Sequence, residues 1–273
     1  MRRWYGMRYK DSEERIEDLI SKKLKEIEEK EQVKVLHAVE SGSRAWGFPS
    51  PDSDYDVRFI YVRPLEYYLG LQTKKDYIDW ELDETLDING WDLSKALQHI
   101  HKSNATMYEW MNSPVVYQTT SEWEKVKTVA SQYFSKKSAM YHYYGTANKN
   151  YHEYLMEDMV RYKKYFYVLR PILACKWIEK RITPPPVLFQ ELVDEVLEEE
   201  MKPVVEQLLK KKVKMSEADK GERIDKLNDY IVKHLEYFKK MTGNMLDDRK
   251  ADWEELNTVF IQLLQENKMV VQE

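Results

Sequence analysis

Two aspartates separated by one residue, Asp54-Tyr55-Asp56, stand at the head of the run Tyr55–Val62, whose alternating side chains predict a β-strand. Side chains two apart on a strand point to the same face, so the two carboxylates project together. Carboxylates held that close repel, and a divalent cation between them relieves the repulsion. Mg²⁺ is the expected ion, with Mn²⁺ as the alternative, because a hard cation takes a few carboxylates and completes its shell with phosphate oxygens. Upstream, Gly42-Ser43 opens a turn-rich loop after the apolar run Val33–Glu40. Gly42 lets the backbone approach a phosphate closely. Ser43 supplies a hydroxyl, and the amides after it can cradle a phosphate tail if a helix begins there. Acids for a metal and a glycine-serine turn for phosphates point to metal-assisted chemistry on a phosphate-bearing substrate.

Other readings of these residues fail on spacing. Asp52-Ser53-Asp54-Tyr55-Asp56 begins like an EF-hand loop, but Val57 stands where a glycine is needed and Arg63 where a glutamate is needed. Gly42-x4-Gly47 lacks the Gly-Lys-Ser/Thr of a Walker A loop. His99 and His101 are two apart on a predicted helix and face different directions, so they make no metal pair. A solvated polar turn is the bland reading of the aspartates, and Gly42-Ser43 upstream weighs against it.

The stretch Gly42-Ser43 … Asp54-x-Asp56 resembles the active-site signature of the DNA polymerase β-type nucleotidyltransferase superfamily. Longer strings are closer still to a family of bacterial and phage nucleotidyltransferases, some of them linked to RNA-repair ligases. These are Gly42-Ser-Arg-Ala-Trp-Gly-Phe48 with Ser50-Pro-Asp-Ser-Asp-Tyr-Asp-Val-Arg58, then Gly90-Trp-Asp-Leu-Ser-Lys95 and Lys102-Ser-Asn104. Glu109-Trp-Met-Asn-Ser-Pro114 and Lys163-Lys-Tyr-Phe-Tyr-Val-Leu-Arg-Pro171 complete the set. The resemblance implies transfer of a nucleoside monophosphate from an NTP to an acceptor hydroxyl, with release of pyrophosphate. It implies a third carboxylate on a neighbouring strand beside the metal ligands Asp54 and Asp56. Asp87 and Asp92 are the candidates. Asp87 is preferred because it lies in the strand-like run before Gly90, whereas Asp92 can cap the following helix.

Positive groups must face the triphosphate. Arg44 and Lys95 adjoin the two motifs in sequence, and Lys163, Lys164 and Arg170 lie on a predicted helix farther on. Lys163 and Arg170 are seven apart and share a face with Tyr167, and that helix resembles a nucleotide-clamping element. The bland alternatives are a solvated face for Lys163 and Lys164, and a buried carboxylate as the partner of Arg170. Asn104 and Glu109 belong to the resembling motifs without an assigned role. The acceptor is open among an RNA end, a protein side chain and a small molecule. A catalytically silent nucleotide-binding or regulatory module that partners RNA-repair enzymes is the competing reading. A second competitor is an enzyme that makes a cyclic or oligonucleotide signal.

The elements that position these groups begin with an amphipathic helix, marked by Ile16, Leu19, Ile20, Leu24 and Ile27 and started by Ser12 with Glu13 and Glu14. Strands are predicted at Val33–Glu40, Tyr55–Val62, Tyr77–Leu82 and Thr85–Trp91. Asp92 or Ser94 can cap a helix through His101, and Asn104 or Thr106 can start another near Trp110. From Ser121 onward no strand is expected. Helices are predicted at 121–136, 139–158, 160–180, 187–212, 217–240 and 249–266, with Pro203 interrupting the fourth. Ser216–Glu222 reads as a polar connection. The fold class expected is α+β: an N-terminal polymerase-β-like nucleotidyltransferase domain with a short mixed sheet over residues 1–118, and a C-terminal all-helical domain over 119–273. The active site is expected in the cleft between them.

Composition narrows the rest. The formal net charge of −5 disfavours a long nucleic-acid footprint and leaves room for a local basic patch. The single cysteine, Cys175, allows no intrachain disulfide and sits in an apolar run as a packed thiol. No secretory leader or membrane-spanning stretch is read, so no membrane partner and a cytoplasmic location are expected.

Overall fold

The computed structural model describes residues 15–50, 53–83, 85–212 and 220–267. In chain order the elements are α1 (Ile16–Glu31), β1 (Lys34–Glu40), α2 (Gly42–Ala45), β2 (Tyr55–Val62), α3 (Leu65–Leu69), β3 (Tyr77–Asp83) and β4 (Leu86–Asp92). They continue through α4 (Leu93–His101), α5 (Ala105–Met111), β5 (Val116–Thr119), α6 (Ser121–Ala130), α7 (Lys136–Tyr154), β6 (Met159–Arg161) and α8 (Tyr162–Arg181). The last are α9 (Phe189–Val196), α10 (Lys202–Lys212), β7 (Lys220–Glu222), α11 (Asp225–Gly243) and α12 (Glu254–Glu266).

Five strands form one mixed sheet in the order β3-β4-β2-β1-β5. β2 runs parallel to β4, and the other pairs are antiparallel. The period of two divides β2 between two cores. Val57, Phe59 and Tyr61, with Leu86 and Ile88 of β4, pack against the buried stripe Ile16, Ile20, Leu24 and Ile27 of α1. Ile60 and Val62 face the opposite way, onto α4, α5, α6 and α12. Burying each such large side chain stabilises by roughly 1.5–3 kcal/mol, which pins the register and hence the face on which the even-numbered acids of β2 stand. The start of α1 proposed at Ser12 lies outside the described residues.

The C-terminal region is helical, with a third core formed chiefly by α7 to α11. Phe48, from the loop after α2, plugs into this core against Phe166 and Phe189, with ring centroids 4.8 and 5.3 Å away. The amide of Phe189 also donates to the Trp46 carbonyl at 3.0 Å. The motif loop is thereby tied to α8 and α9. The sheet's core in turn draws on α12, through Leu256, Val259, Leu263 and Leu264.

Some local expectations differ. β5 pairs with β1 where only a boundary was read, because an edge strand of four half-exposed residues leaves little periodic signal. β6 and β7 pair as a two-stranded ribbon beyond Ser121, each too short to alternate visibly. The region 187–212 breaks at 197–201, and Pro203 lies in the first turn of α10, where its missing N–H costs nothing. Helix α11 begins at Asp225, later than the predicted 217, and Lys220–Glu222 belongs to β7.

Candidate active site

In the parallel ladder of β2 and β4, Asp56 lies directly opposite Asp87. Asp87 points away from the face on which Leu86 and Ile88 meet α1, and Asp56 shares its own face with Arg58, Ile60 and Val62. Asp54, exposed, immediately precedes β2. Arg58 ties the two strands together: its Nη2 donates to Asp56 Oδ1 at 3.1 Å and to Asp87 Oδ2 at 2.7 Å. Burial raises the Asp56 carboxyl above the ordinary carboxylate range; Arg58 and Lys163 counter this, while Asp87 and Asp54 add to it.

The backbone of Asp56 is held from β1. Its N–H donates to Glu40 Oε1 at 2.8 Å, and its carbonyl accepts from Ser41 N–H at 2.8 Å. Glu40 is almost fully buried, takes a hydrogen bond from the Tyr117 hydroxyl, and is pushed by burial up to about 7. Gly42 adopts φ +61°, and a β-carbon there would overlap Asp56 Oδ2, so only glycine lets the turn pass this close to the carboxylate. Ser43 and Arg44 brace the loop leading into Asp54. The Ser43 hydroxyl reaches Ser53 Oγ at 3.1 Å. Arg44 donates to the carbonyls of Asp54 and Ser53 at 2.9 and 2.6 Å and lies 3.6 Å from the Tyr55 ring centroid.

Helix α8 supplies the opposite wall. The Lys163 charge acts on Asp56, and the Tyr167 hydroxyl is raised first by its burial and then by the charges of Asp56 and Asp54. Trp46 stands edge-on to Tyr167, with centroids 5.4 Å apart. The structure thus brings Asp54, Asp56, Asp87, Gly42, Lys163 and Tyr167 to one place, with Ser43 and Arg44 supporting the loop between them.

Two proposed cations are placed elsewhere. Lys95 follows Asp92 at the other end of β4, five residues or roughly 16 Å from Asp87 along the strand. Its Nζ pairs with Asp76 at 2.9 Å. Asp92 there is buried, caps α4 by accepting from Ser94 N–H at 2.8 Å, and takes the Tyr68 hydroxyl at 2.9 Å. Arg170 is buried at 3 % exposure behind Trp46, 4.7 Å from that ring's centroid. It pairs with Glu109 at 2.8 Å, and Tyr143 donates to the same carboxylate oxygen at 2.9 Å. Asn104 caps α5 by accepting from Met107 N–H at 3.2 Å. Glu109 and Asn104 therefore have structural roles. Sequence reasoning gave no role to Arg58 or Glu40. The two-residue step from Asp56 flags Arg58, and the lone acid ending an apolar strand flags Glu40.

Among the described residues, no three His, Cys, Asp or Glu side chains converge on a metal-sized point. The donor set nevertheless fits a hard divalent cation. Asp56 and Asp87 face each other across the ladder, Asp54 stands two residues before Asp56 and its charge acts on it, burial raises the Asp56 carboxyl, and the Arg58 guanidinium pairs with both ladder acids. Asp54, Asp56 and Asp87 would hold it.

Residues 16–262 match the family model described as the RNA repair pathway DNA polymerase beta family. The chain is 42% identical over 245 residues to the uncharacterized protein YcgL of Bacillus subtilis (strain 168), covering 89% of this chain and 94% of that protein. A nucleotidyltransferase-like protein from Exiguobacterium sibiricum 255-15, known from a crystal structure, aligns over 93% of this chain and 81% of its own with 12% identity and a TM-score of 0.29. No helix among the described residues is long and apolar enough to cross a membrane.

Proposed function

This chain belongs to the RNA repair pathway DNA polymerase beta family, and on that premise we propose that it is a metal-dependent nucleotidyltransferase that moves a nucleoside monophosphate from an NTP to an acceptor hydroxyl. The observation that carries the reading is the register of the parallel strands, which sets Asp56 opposite Asp87 with Asp54 two residues before Asp56. Bound Mg²⁺ or Mn²⁺ supplies charge neutralisation on the triphosphate and in-line alignment of the reacting oxygen. Asp54 and Asp56 would hold the cation, and Asp87 would complete the set and accept the proton of the acceptor hydroxyl. The acceptor oxygen forms the new bond to the α-phosphorus, the bond from that phosphorus to the bridging oxygen breaks, and pyrophosphate leaves. Gly42 lets the turn lie against the Asp56 carboxylate without displacing it. Lys163 faces the charge of the triphosphate, and Tyr167 presents an apolar wall to the nucleotide. The family description favours an RNA end as the acceptor.

One observation favours the second reading, a binding module without turnover: Arg58 already neutralises Asp56 and Asp87. Pyrophosphate release separates the two. Incubation with each NTP, Mg²⁺ and RNA bearing a free 3′ or 5′ hydroxyl should release pyrophosphate in proportion to labelled product. NTP binding with no release for any RNA, protein or small-molecule acceptor would leave the silent module as the better account.

A further inference from the structure

The ribbon of β6 and β7 carries a charge arrangement that the proposed reaction does not use. Arg161 and Lys220 are direct cross-strand partners, Val160 pairs with Gly221, and Met159 pairs with Glu222. Side chains directly opposite in an antiparallel pair stand close together, and like charges there destabilise the pairing. Both long cations therefore project from one face of the ribbon, Lys164 follows one helical turn after Arg161 on α8, and all three line a cavity of about 330 Å³ with His152, Glu153 and Glu157. Three cations meet the acids Glu153 and Glu157 in the cavity lining, and Glu222 shares the ribbon face through its register opposite Met159, in a chain whose net charge is −5.

Arg161 and Lys220 are exposed, and the backbone beneath them and Lys164 are held in place. On the ribbon's other face, Tyr162 lies so close to Gly221 that a β-carbon there would overlap its ring, which fixes the start of α8 against β7. Lys164 is partly buried, 3.8 Å from the Tyr154 ring centroid and 5.2 Å from that of Tyr167. Its ammonium is lowered by burial and then by the charge of Arg161, with Glu153 acting the other way. A fold that sets two cations across a ladder and crowds a third against them is relieved by an anion with several acceptor oxygens.

We propose that this cavity is a phosphate-binding site, distinct from the carboxylate cluster, in which Arg161, Lys164 and Lys220 grip the phosphate group of a phosphorylated ligand. Tyr167 adjoins both places: its ring centroid is 5.2 Å from Lys164 Nζ, and its hydroxyl is acted on by the charges of Asp56 and Asp54. The phosphate can come from a small free ligand or from the backbone or 5′ end of a nucleic-acid strand, and the three donors suit either.

The test is direct binding without divalent cation, so that the carboxylate site contributes nothing. Pyrophosphate is titrated calorimetrically, and a short 5′-phosphorylated single-stranded oligonucleotide is titrated by fluorescence anisotropy over a range of salt. The proteins compared are the wild type, Arg161→Ala/Lys220→Ala, Lys164→Ala and Asp54→Asn. Wild type and Asp54→Asn should bind at least one probe equally, and each of the other two variants should bind it about tenfold or more weakly. Loss confined to the oligonucleotide, with a shallower salt dependence, identifies a strand phosphate; loss for pyrophosphate identifies a small ligand. The double variant removes a like-charge pair and should melt no lower than wild type, which separates lost contacts from lost fold. Lack of binding of both probes to wild type, or binding that neither variant weakens, overturns the site. Mg²⁺-dependent NTP binding by the Arg161→Ala/Lys220→Ala protein reports separately on the carboxylate cluster.

Discussion

The carboxylate cluster and the Glu109–Arg170 pair both arise from charged residues of the motif strings, and the fold treats them in opposite ways. At the first, Asp54, Asp56 and Asp87 lie within one another's influence with Arg58 bridging the latter two, and the Asp54 side chain remains exposed. At the second, one acid and one base match, Tyr143 donates to the same carboxylate oxygen, and Trp46 covers the guanidinium. A charge taken fully out of water must find its partner within the protein. A site that is to hold a cation keeps its negative charge in excess and within reach of solvent. The contrast supports the proposed chemistry at the first cluster and places the docking of α5 on α8 at the second.

The sharpest way to break this contrast is substitution at the first cluster. Asp54→Asn or Asp56→Asn should lower turnover by about a thousandfold, on the order of 4 kcal/mol, while the melting temperature holds or rises. Normal turnover would remove both from the metal site. At the second cluster the effect should fall on stability: Arg170→Met leaves the partly buried Glu109 carboxylate without its cation and should cost about 2–4 kcal/mol in denaturant unfolding. Arg170→Met/Glu109→Leu should recover much of that loss, and NTP affinity of the folded double variant should match wild type. A variant that stays stable yet loses NTP affinity would move Arg170 into the nucleotide site.

Smaller effects sharpen the same boundary. Gly42→Ala imposes a left-handed conformation on an alanine and should cost about 1–2 kcal/mol, with weaker metal binding because its β-carbon meets Asp56. Mg²⁺ at ten times its dissociation constant should stabilise wild type by about 1.4 kcal/mol, seen as a raised melting temperature, and should leave Asp56→Asn unmoved. The last effect is a slope with pH. The Asp56 carboxyl is raised in the folded protein by burial, so the native state binds that proton more tightly than the unfolded chain. Metal-free stability is then fullest below the ordinary aspartate range and declines as pH rises through the raised value. Chemical denaturation across that range should show the decline in wild type and a shallower one in Asp56→Asn.

What was legible in the sequence was local. The spacing of Asp54 and Asp56 is a strand period, and the alternation from Tyr55 to Val62 coincides with β2. The preference for Asp87 over Asp92 rested on a cap signal that Asp92 does satisfy. What sequence proximity could not report was direction. Lys95 follows the second motif closely, but β4 carries it to the opposite end of the strand from Asp87. Partners far apart were equally hidden: Arg170 meets Glu109 across 61 positions, and α12 returns from the end of the chain to pack near the sheet. Arg58 was in view with Asp56, yet its bridging role depends on the pairing of β2 with β4, a register that no local pattern specifies.

The most direct test of the central claim is calorimetric titration of each of the four NTPs, with and without Mg²⁺, into wild type and Asp54→Asn. The account predicts binding of at least one NTP that requires the metal and disappears in the variant. Metal-dependent binding that survives unchanged in Asp54→Asn, or no metal-dependent binding of any NTP to folded wild type, would contradict it.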